Sequence, residues 1–372
     1  MTSSALSSLR REWLLLVACA TTLLFFVFGK GWLADLSNPL WFAFMLIWLF
    51  AVVLGAAFAV VHHAESLAVR LGEPLGTLVL TLAVIGIEVT MISAVMLTGE
   101  SKPALARDAM FGVVMIVLNG MIGLSLLLGG LRHREQEYNL QGANSFLSLI
   151  VTLTVLGLVL PNFTEATPGP TLSAFQSAFM VVMSIAIYAL FLIIQNWRHR
   201  EYFVRPAAAV GFAAAHADHG ETNSLTYHGI LLVMYLLPIV YLAEEIAIPI
   251  DHGIEVLHAP AALGGFLVAA LILSPESLSA TRAALANDLQ RSINILLGSV
   301  LASIGLTIPA VLTIGMVTGK TVALGLDPAN SILLILTLAV SALTFTRDRT
   351  NVLMGAVHLL LFLAYVMLLF EH

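Results

Sequence analysis

Apolar residues fall along this chain in long runs, each close to the roughly 20 residues that a helix needs to cross the hydrocarbon core of a bilayer. Short polar stretches separate the runs. On that pattern eleven spanning helices are predicted, over residues 13–30, 41–62, 74–98, 109–130, 144–162, 172–195, 227–247, 258–280, 290–318, 329–346 and 351–370. The plainest punctuation is LRHREQEYNLQGAN after the fourth, PNFTEATPGP after the fifth and WRHREYFVRPAAAVGFAAAHADHGETN after the sixth. The expected fold class is an all-α integral membrane protein, with one N-terminal helix followed by two sets of five.

The two sets carry matching residues. Gly76 precedes Glu88 by twelve residues, and Gly264 precedes Glu276 by twelve. In the helices that follow, Asp108, Gly112, Asn119 and Gly123 are spaced as Asp288, Ser292, Ser299 and Ser303 are, so each quartet is expected along one helix face. Five is an odd number, so two copies of such a unit must lie inverted in the membrane. Inverted repeats around a midplane site are a common architecture of secondary transporters. The expected organisation is an N-terminal segment and first helix over 1–35, a first five-helix repeat over 36–197, a linker over 198–226 and a second repeat over 227–372.

Basic residues orient the chain, because short cytoplasmic loops are enriched in them. With the N-terminus inside, Arg10, Arg11, Arg70, Arg132, Arg134, Arg198, Arg200, Arg205, Arg282, Arg291, Arg347 and Arg349 fall inside, and only Lys30, Lys102, Arg107 and Lys320 fall outside. Losing one helix would scramble that partition. The expected location is the cytoplasmic (inner) membrane, multi-pass, with the N-terminus cytoplasmic.

Composition agrees. Of 372 residues 59% are hydrophobic and 10% charged, with a mean hydropathy of +0.98, whereas soluble domains carry about a quarter charged residues. Partners in the form of nucleic acid are not expected; the lipid bilayer is, and self-association stays open. The single cysteine, Cys19, leaves no disulfide framework or thiolate metal site. Arg10 and Arg11 before the apolar run 13–28 resemble a signal peptide without a cleavage site, and the run is read as a retained first helix.

Against this background Glu88, in LTLAVIGIEVTMISAVML, and Glu276, in LILSPESLSA, stand out. An acid at the bilayer centre costs about 2.5 to 3.5 kcal/mol on insertion scales, so such residues are functional by default. Desolvation favours the neutral form of a carboxyl, which can then hold a proton and release it when a cation competes. If the two acids converge, cation and proton occupancy of one carboxylate pair exclude each other, and antiport follows. Asn119, Ser299 and Ser303 are candidate neutral oxygen ligands, with Thr81 on the Glu88 face, since hard cations take oxygen and calcium takes about six to eight such ligands. The bland reading of small residues on a spanning helix is close packing. Pro275 removes a backbone donor beside Glu276, and a broken helix is expected there.

Other motifs carry less. GMVTGKT, 315–321, imitates a phosphate loop with one residue too few between its glycines and is read as a membrane loop. His62, His63 and Glu65 lack a zinc-site pattern and read as a titratable cytoplasmic helix end. Glu244, Glu245, Asp251 and Glu255 read as an outward acidic loop. Asn162, Phe163 and Thr164 match the glycosylation triplet.

The segments GEPLGTLVLTLAVIGIEV, VLNGMIGLSLLLGGLRHREQEYNLQGANSFL, LGLVLPNF and SPESLSATRAALANDLQRSINILLGSVLASIGLTIP resemble the calcium/proton exchanger family of the cation/calcium antiporter superfamily, most closely its bacterial ChaA-like branch. The resemblance runs from about His62 onward. It implies eleven helices with the first outside the repeats, ion coordination by Glu88 and Glu276, and supporting polar residues at Asn119, Ser299 and Ser303. Calcium exchangers of the family carry an asparagine three residues before the glutamate, where Ile85 and Leu273 stand here. Two oxygen ligands are thereby missing, so sodium or potassium exchange becomes credible beside calcium exchange. The expected function is a proton-coupled antiporter of calcium, sodium or potassium, not an enzyme, with transported ions and no cofactor. A strictly monovalent antiporter is the first alternative; a membrane-embedded enzyme using the paired acids and a passive channel are the alternatives from other classes.

Overall fold

The computed structural model describes residues 12–71, 79, 82–83, 85–89, 92–93, 96, 103–204, 225–260 and 262–371. Helix is the consequence of the apolar runs, because in lipid every backbone donor and acceptor must be satisfied within the segment. The elements are α1 (Trp13–Leu33), α2 (Pro39–Leu71), α3 (Leu105–His133), α4 (Leu140–Phe163), α5 (Ala174–Arg198), α6 (Leu225–Val256), α7 (Ala262–Leu285), α8 (Leu289–Thr318), α9 (Pro328–Thr344) and α10 (Val352–Glu371). The described residues between 79 and 96 are helical too and form the Glu88 segment. Among the described residues nine helices are long and apolar enough to cross a membrane, and α9 is a shorter apolar one. The protein is a multi-pass, all-α membrane protein, with elements where the eleven apolar runs predict them. Gly76, Thr81 and the HADHGE stretch lie outside the described residues.

Local chemistry sets several ends. Asn139 caps α4 by accepting from the Gln141 and Gly142 amides, and Ser173 with Gln176 closes a capping box on α5. Asp288 caps α8 and Asp327 caps α9, whose first residue is Pro328. At the far end of α8, Gly319 takes φ +70°, the left-handed geometry that terminates helices. GMVTGKT is therefore partly the last turn of α8 and not wholly a loop. A second correction concerns Glu244, Glu245, Asp251 and Glu255, which ride on α6 instead of a loop. Pro249 removes one donor without stopping that helix, and the last turns pack against α2, where a Cβ on Gly253 would meet the Phe42 ring at 3.0 Å.

Packing divides the molecule into two bodies. One apolar cluster joins α1, α2 and α6 through Phe25, Leu49, Val53, Tyr235 and Ile239. The other joins α3, α4, α5, α8, α9 and α10 through Met115, Phe146, Leu297, Leu334 and Leu361. The Glu88 segment and α7 belong to both: Ile87, Leu271 and Ile272 face the smaller cluster, and Ile85 and Leu273 the larger. Outward side chains such as Phe26, 74% exposed, and Leu363, 62% exposed, form the lipid-facing surface.

Helices α2 and α6, which the sequence reading expects to open the two halves, run antiparallel. Phe42 meets Gly253 at one end, and His63 meets His228 at the other. Inverted halves require that relation. By contrast α3 and α7 run parallel, with Ala109 beside Gly265, Gly112 beside Ala269 and Gly129 beside Ala284. On the polar surface Gln136–Glu137 pair antiparallel with Arg349–Thr350, and the Tyr138 hydroxyl donates to the Arg347 carbonyl. This clasp ties the α3–α4 connection to the α9–α10 connection.

Candidate cation and proton site

Glu88 and Glu276 are buried at 5% and 4% exposure, and α8 brings them together. The Ser303 hydroxyl donates to Glu88 Oε1 at 2.5 Å, and the Thr307 hydroxyl donates to the same oxygen at 3.2 Å. The Ser299 hydroxyl donates to Glu276 Oε2 at 2.6 Å. Residues 299, 303 and 307 are spaced four apart and so stack on one face of α8. Because each turn rises about 5.4 Å, the two carboxyls are held roughly one turn apart along a ladder of hydroxyls.

Those donors stabilise negative charge, but they carry none of the opposite sign. Among the described residues no Lys or Arg forms an ion pair with either acid. Two neighbouring carboxylates in a low-dielectric interior repel each other strongly, so protons or a bound cation must supply the missing charge. The hydroxyl lone pairs and the second carboxyl oxygens remain as hard-cation ligands. No group of three or more His, Cys, Asp or Glu gathers to hold a metal ion among the described residues.

Of the five candidate ligands, α8 thus joins Glu88, Glu276, Ser299 and Ser303. Asn119 goes elsewhere. Its Nδ2 donates to Thr337 Oγ1 at 2.9 Å, and its Oδ1 faces His358 Nδ1 at 3.2 Å, so both ends of the amide are engaged by α9 and α10. The physical reason is the π-helical turn Ile116–Met121, which inserts one residue per turn relative to the α-helical flanks and shifts the phase of α3. Pro275 does not break α7, which runs on through Glu276 to Leu285; neighbouring packing and local adjustment absorb the missing donor.

Thr307 is the site residue that the sequence reading passed over. Its signal was present, since Ser-x-x-x-Ser-x-x-x-Thr repeats at one turn. The His62, His63 and Glu65 group separates: His63 bonds His228 at 3.0 Å and approaches Glu12 at 3.4 Å, while Glu65 accepts from Ser279 at 2.6 Å. Glu12 also accepts from Tyr227 at 2.9 Å and Tyr235 at 3.0 Å, which pins the start of α1 to α6.

A multi-pass helical bundle with two buried acids on one hydroxyl face defines a polytopic membrane protein with a candidate ion site in its interior. The sequence profile of the sodium/calcium exchanger proteins matches it over residues 41–197 and 227–371. The chain belongs to that family. Its relatives include the putative ionic transporter y4hA of Sinorhizobium fredii, 45% identical over 84% of this chain and 85% of that protein. Another is the sodium-potassium/proton antiporter ChaA of Escherichia coli, 38% identical over 91% of this chain and 92% of that protein. In fold the chain is similar to native YfkE, with a TM-score of 0.73 at 17% identity over 96% of this chain and 100% of that one.

Proposed function

We propose that the chain is a proton-coupled cation antiporter of the cytoplasmic membrane, exchanging calcium, sodium or potassium for protons, with its N-terminus inside. The observation that carries this is the pair Glu88 and Glu276, buried and linked by Ser299, Ser303 and Thr307 of one helix. A cation held between the carboxyls displaces protons from them, and a proton displaces the cation. A divalent ion balances both acids, and a monovalent ion balances one.

Alternating access is supported by the two apolar bodies. The acids sit on the elements that face both clusters, so a shift of α1, α2 and α6 against the rest would open one side of the site and close the other. The two halves are taken as inverted copies over 36–197 and 227–372. The relatives are transporters, which supports transport over hydrolysis or another enzymatic use of the acids.

Ile85 and Leu273, the positions one turn before each acid, are buried apolar residues at 4% and 1% exposure and offer no oxygen. They favour a second reading, exchange restricted to sodium and potassium. The experiment loads purified protein into acid-inside proteoliposomes and follows proton release on adding calcium, sodium or potassium. Release driven by a cation, and lost in both Glu88→Gln and Glu276→Gln, supports the exchange site and names its cargo. No release with any cation sinks the antiport reading, and release with sodium or potassium alone selects the second.

A further inference from the structure

Along α7 the seam between the two apolar bodies is joined differently on the two sides of Glu276. Toward the α6–α7 connection the join is apolar: Leu271 and Ile272 pack into the smaller cluster, and a Cβ on Gly264 would meet Ile254 of α6 at 3.2 Å. Toward the α7–α8 connection Ala280 and Ala284 belong to the larger cluster alone. There the smaller body reaches across with a charged side chain. Glu65 stands next to Ala64, a member of the smaller cluster, near the end of α2. The Ser279 hydroxyl of α7 donates to Glu65 Oε1 at 2.6 Å, and Arg291 Nη2 of α8 lies 3.8 Å from the same oxygen.

This bridge lies close to the ion site. Ser279 follows Glu276 by three residues on an unbroken helix, so it is one turn away on the same face, displaced by about 4.5 Å along the axis. Arg291 precedes Ser299, which holds Glu276, by eight residues of α8. Exposure rises along this line: Glu276 is 4% exposed, whereas the Glu65 and Arg291 side chains are 31% and 57% exposed.

Strength falls along it as well. Opening the apolar side returns Leu and Ile surface to a polar path, which is costly, but a water-exposed ion pair contributes little and exchanges readily with solvent. The seam along α7 is therefore weakest at Glu65. The bridge is also one-sided. Arg291 lies three residues after Asp288, and the residue three after the matching Asp108 is Phe111, an apolar side chain 3% exposed against Tyr365.

We propose that Glu65 is a gating residue for exchange: bonded to Ser279 and Arg291, it holds α2 against α7 and α8 and closes the route to Glu276 from the cytoplasmic face, and its release opens that route. This rests on the antiport reading with the N-terminus inside.

The test measures proton release against sodium, potassium and calcium concentration in acid-loaded membrane vesicles, inverted and right-side-out, from a host without its own cation/proton antiporters. Each face of the protein is thus titrated separately. The variants are Glu65→Gln, Arg291→Gln and Ser279→Ala, with Glu135→Gln as the control, since it breaks an equally exposed pair with Arg349 in the clasp of the larger body. Each of the three is expected to lower the half-saturating cation concentration at the cytoplasmic face about threefold, the scale of one exposed pair or hydrogen bond, because the population open to that face rises by the same factor. At the outer face no fall is expected, and Glu135→Gln is expected to match wild type on both faces. Glu65→Gln and Arg291→Gln change the local charge in opposite senses, so simple attraction of the cation would drive them apart, whereas loss of the gate moves them together. Opposite shifts in those two, equal shifts on both faces, or no shift at the cytoplasmic face overturn the proposal while wild-type exchange stands. A wild type that releases no protons with any cation overturns the antiport reading, and the gate with it.

Discussion

Helices α3 and α8 carry polar and small residues at matched spacing, yet they meet the buried acids differently. In α8 the helix is regular and presents Ser299, Ser303 and Thr307 in one row to both acids. In α3 a π-helical turn interrupts the row, Asn119 is clamped by Thr337 and His358, and Gly123, the counterpart of Ser303, is covered by α10. The matched spacing gives two similar helices; the surroundings made one a source of hydroxyl donors for the acids and the other a wall whose amide is clamped by Thr337 and His358. Symmetry of sequence spacing thus does not carry over into symmetry of coordination.

The comparison can be broken most severely at the acids that α8 serves. Glu88→Gln or Glu276→Gln is expected to lower cation-driven proton release by about a hundredfold or more, equivalent to ~2.7 kcal/mol or more; retention of half the wild-type rate by either would remove that acid from the site. On the α8 side, Ser303→Ala and Ser299→Ala are expected to weaken cation binding roughly tenfold, as loss of a hydrogen bond to a charged group does. Thr307→Val, at the longer contact, is expected to cost about two- to threefold, or ~0.5 kcal/mol. Half-saturation constants in the same vesicles rank them, and an effect of Thr307→Val above that of Ser303→Ala would contradict the ladder.

On the α3 side, Gly123→Ser copies the α8 residue into its counterpart and sharpens the contrast. A Cβ there would meet the Leu359 backbone nitrogen at 3.0 Å and the Gly355 carbonyl at 3.1 Å. The variant is expected to destabilise by about 1 to 3 kcal/mol through overpacking, read as a lower melting temperature in detergent, without any gain in cation binding.

The smallest expected effect lies far from both helices, at Glu12. Burial pushes its carboxyl up, but the Tyr227 and Tyr235 hydroxyls and the His63 ring together hold it below its ordinary value of 4.5. A depressed carboxyl contributes stability that is full above its unfolded value and fades as pH falls through its folded value. Glu12→Gln is therefore expected to melt slightly below wild type at neutral pH, with the gap closing as the pH falls below 4.5. A gap that widens in acid would reverse the sign.

Much of this was legible in the chain. Apolar run length placed the spans, because backbone satisfaction in lipid leaves helix as the only local solution. Glu88 and Glu276 declared themselves by their cost, and Ser299 and Ser303 by their matched spacing. What escaped depended on distant partners. Thr337 and His358 lie 218 and 239 residues from Asn119, so no local window links them. The π-helical turn has no residue signature in IVLNGM, and it moves Asn119 out of the phase that regular spacing predicts. Pro275 looked like a break because the donor it removes is visible in sequence, whereas the packing that tolerates its loss is not.

The amide clamp also has a consequence for biosynthesis. Asn119 enters the membrane with α3, but His358 belongs to the final helix, 239 residues later. At synthesis rates of about 5–20 residues per second, that interval is roughly ten to fifty seconds. Throughout it the amide sits in a half-made bundle without the His358 ring, so the clamp closes only after α10 has left the ribosome.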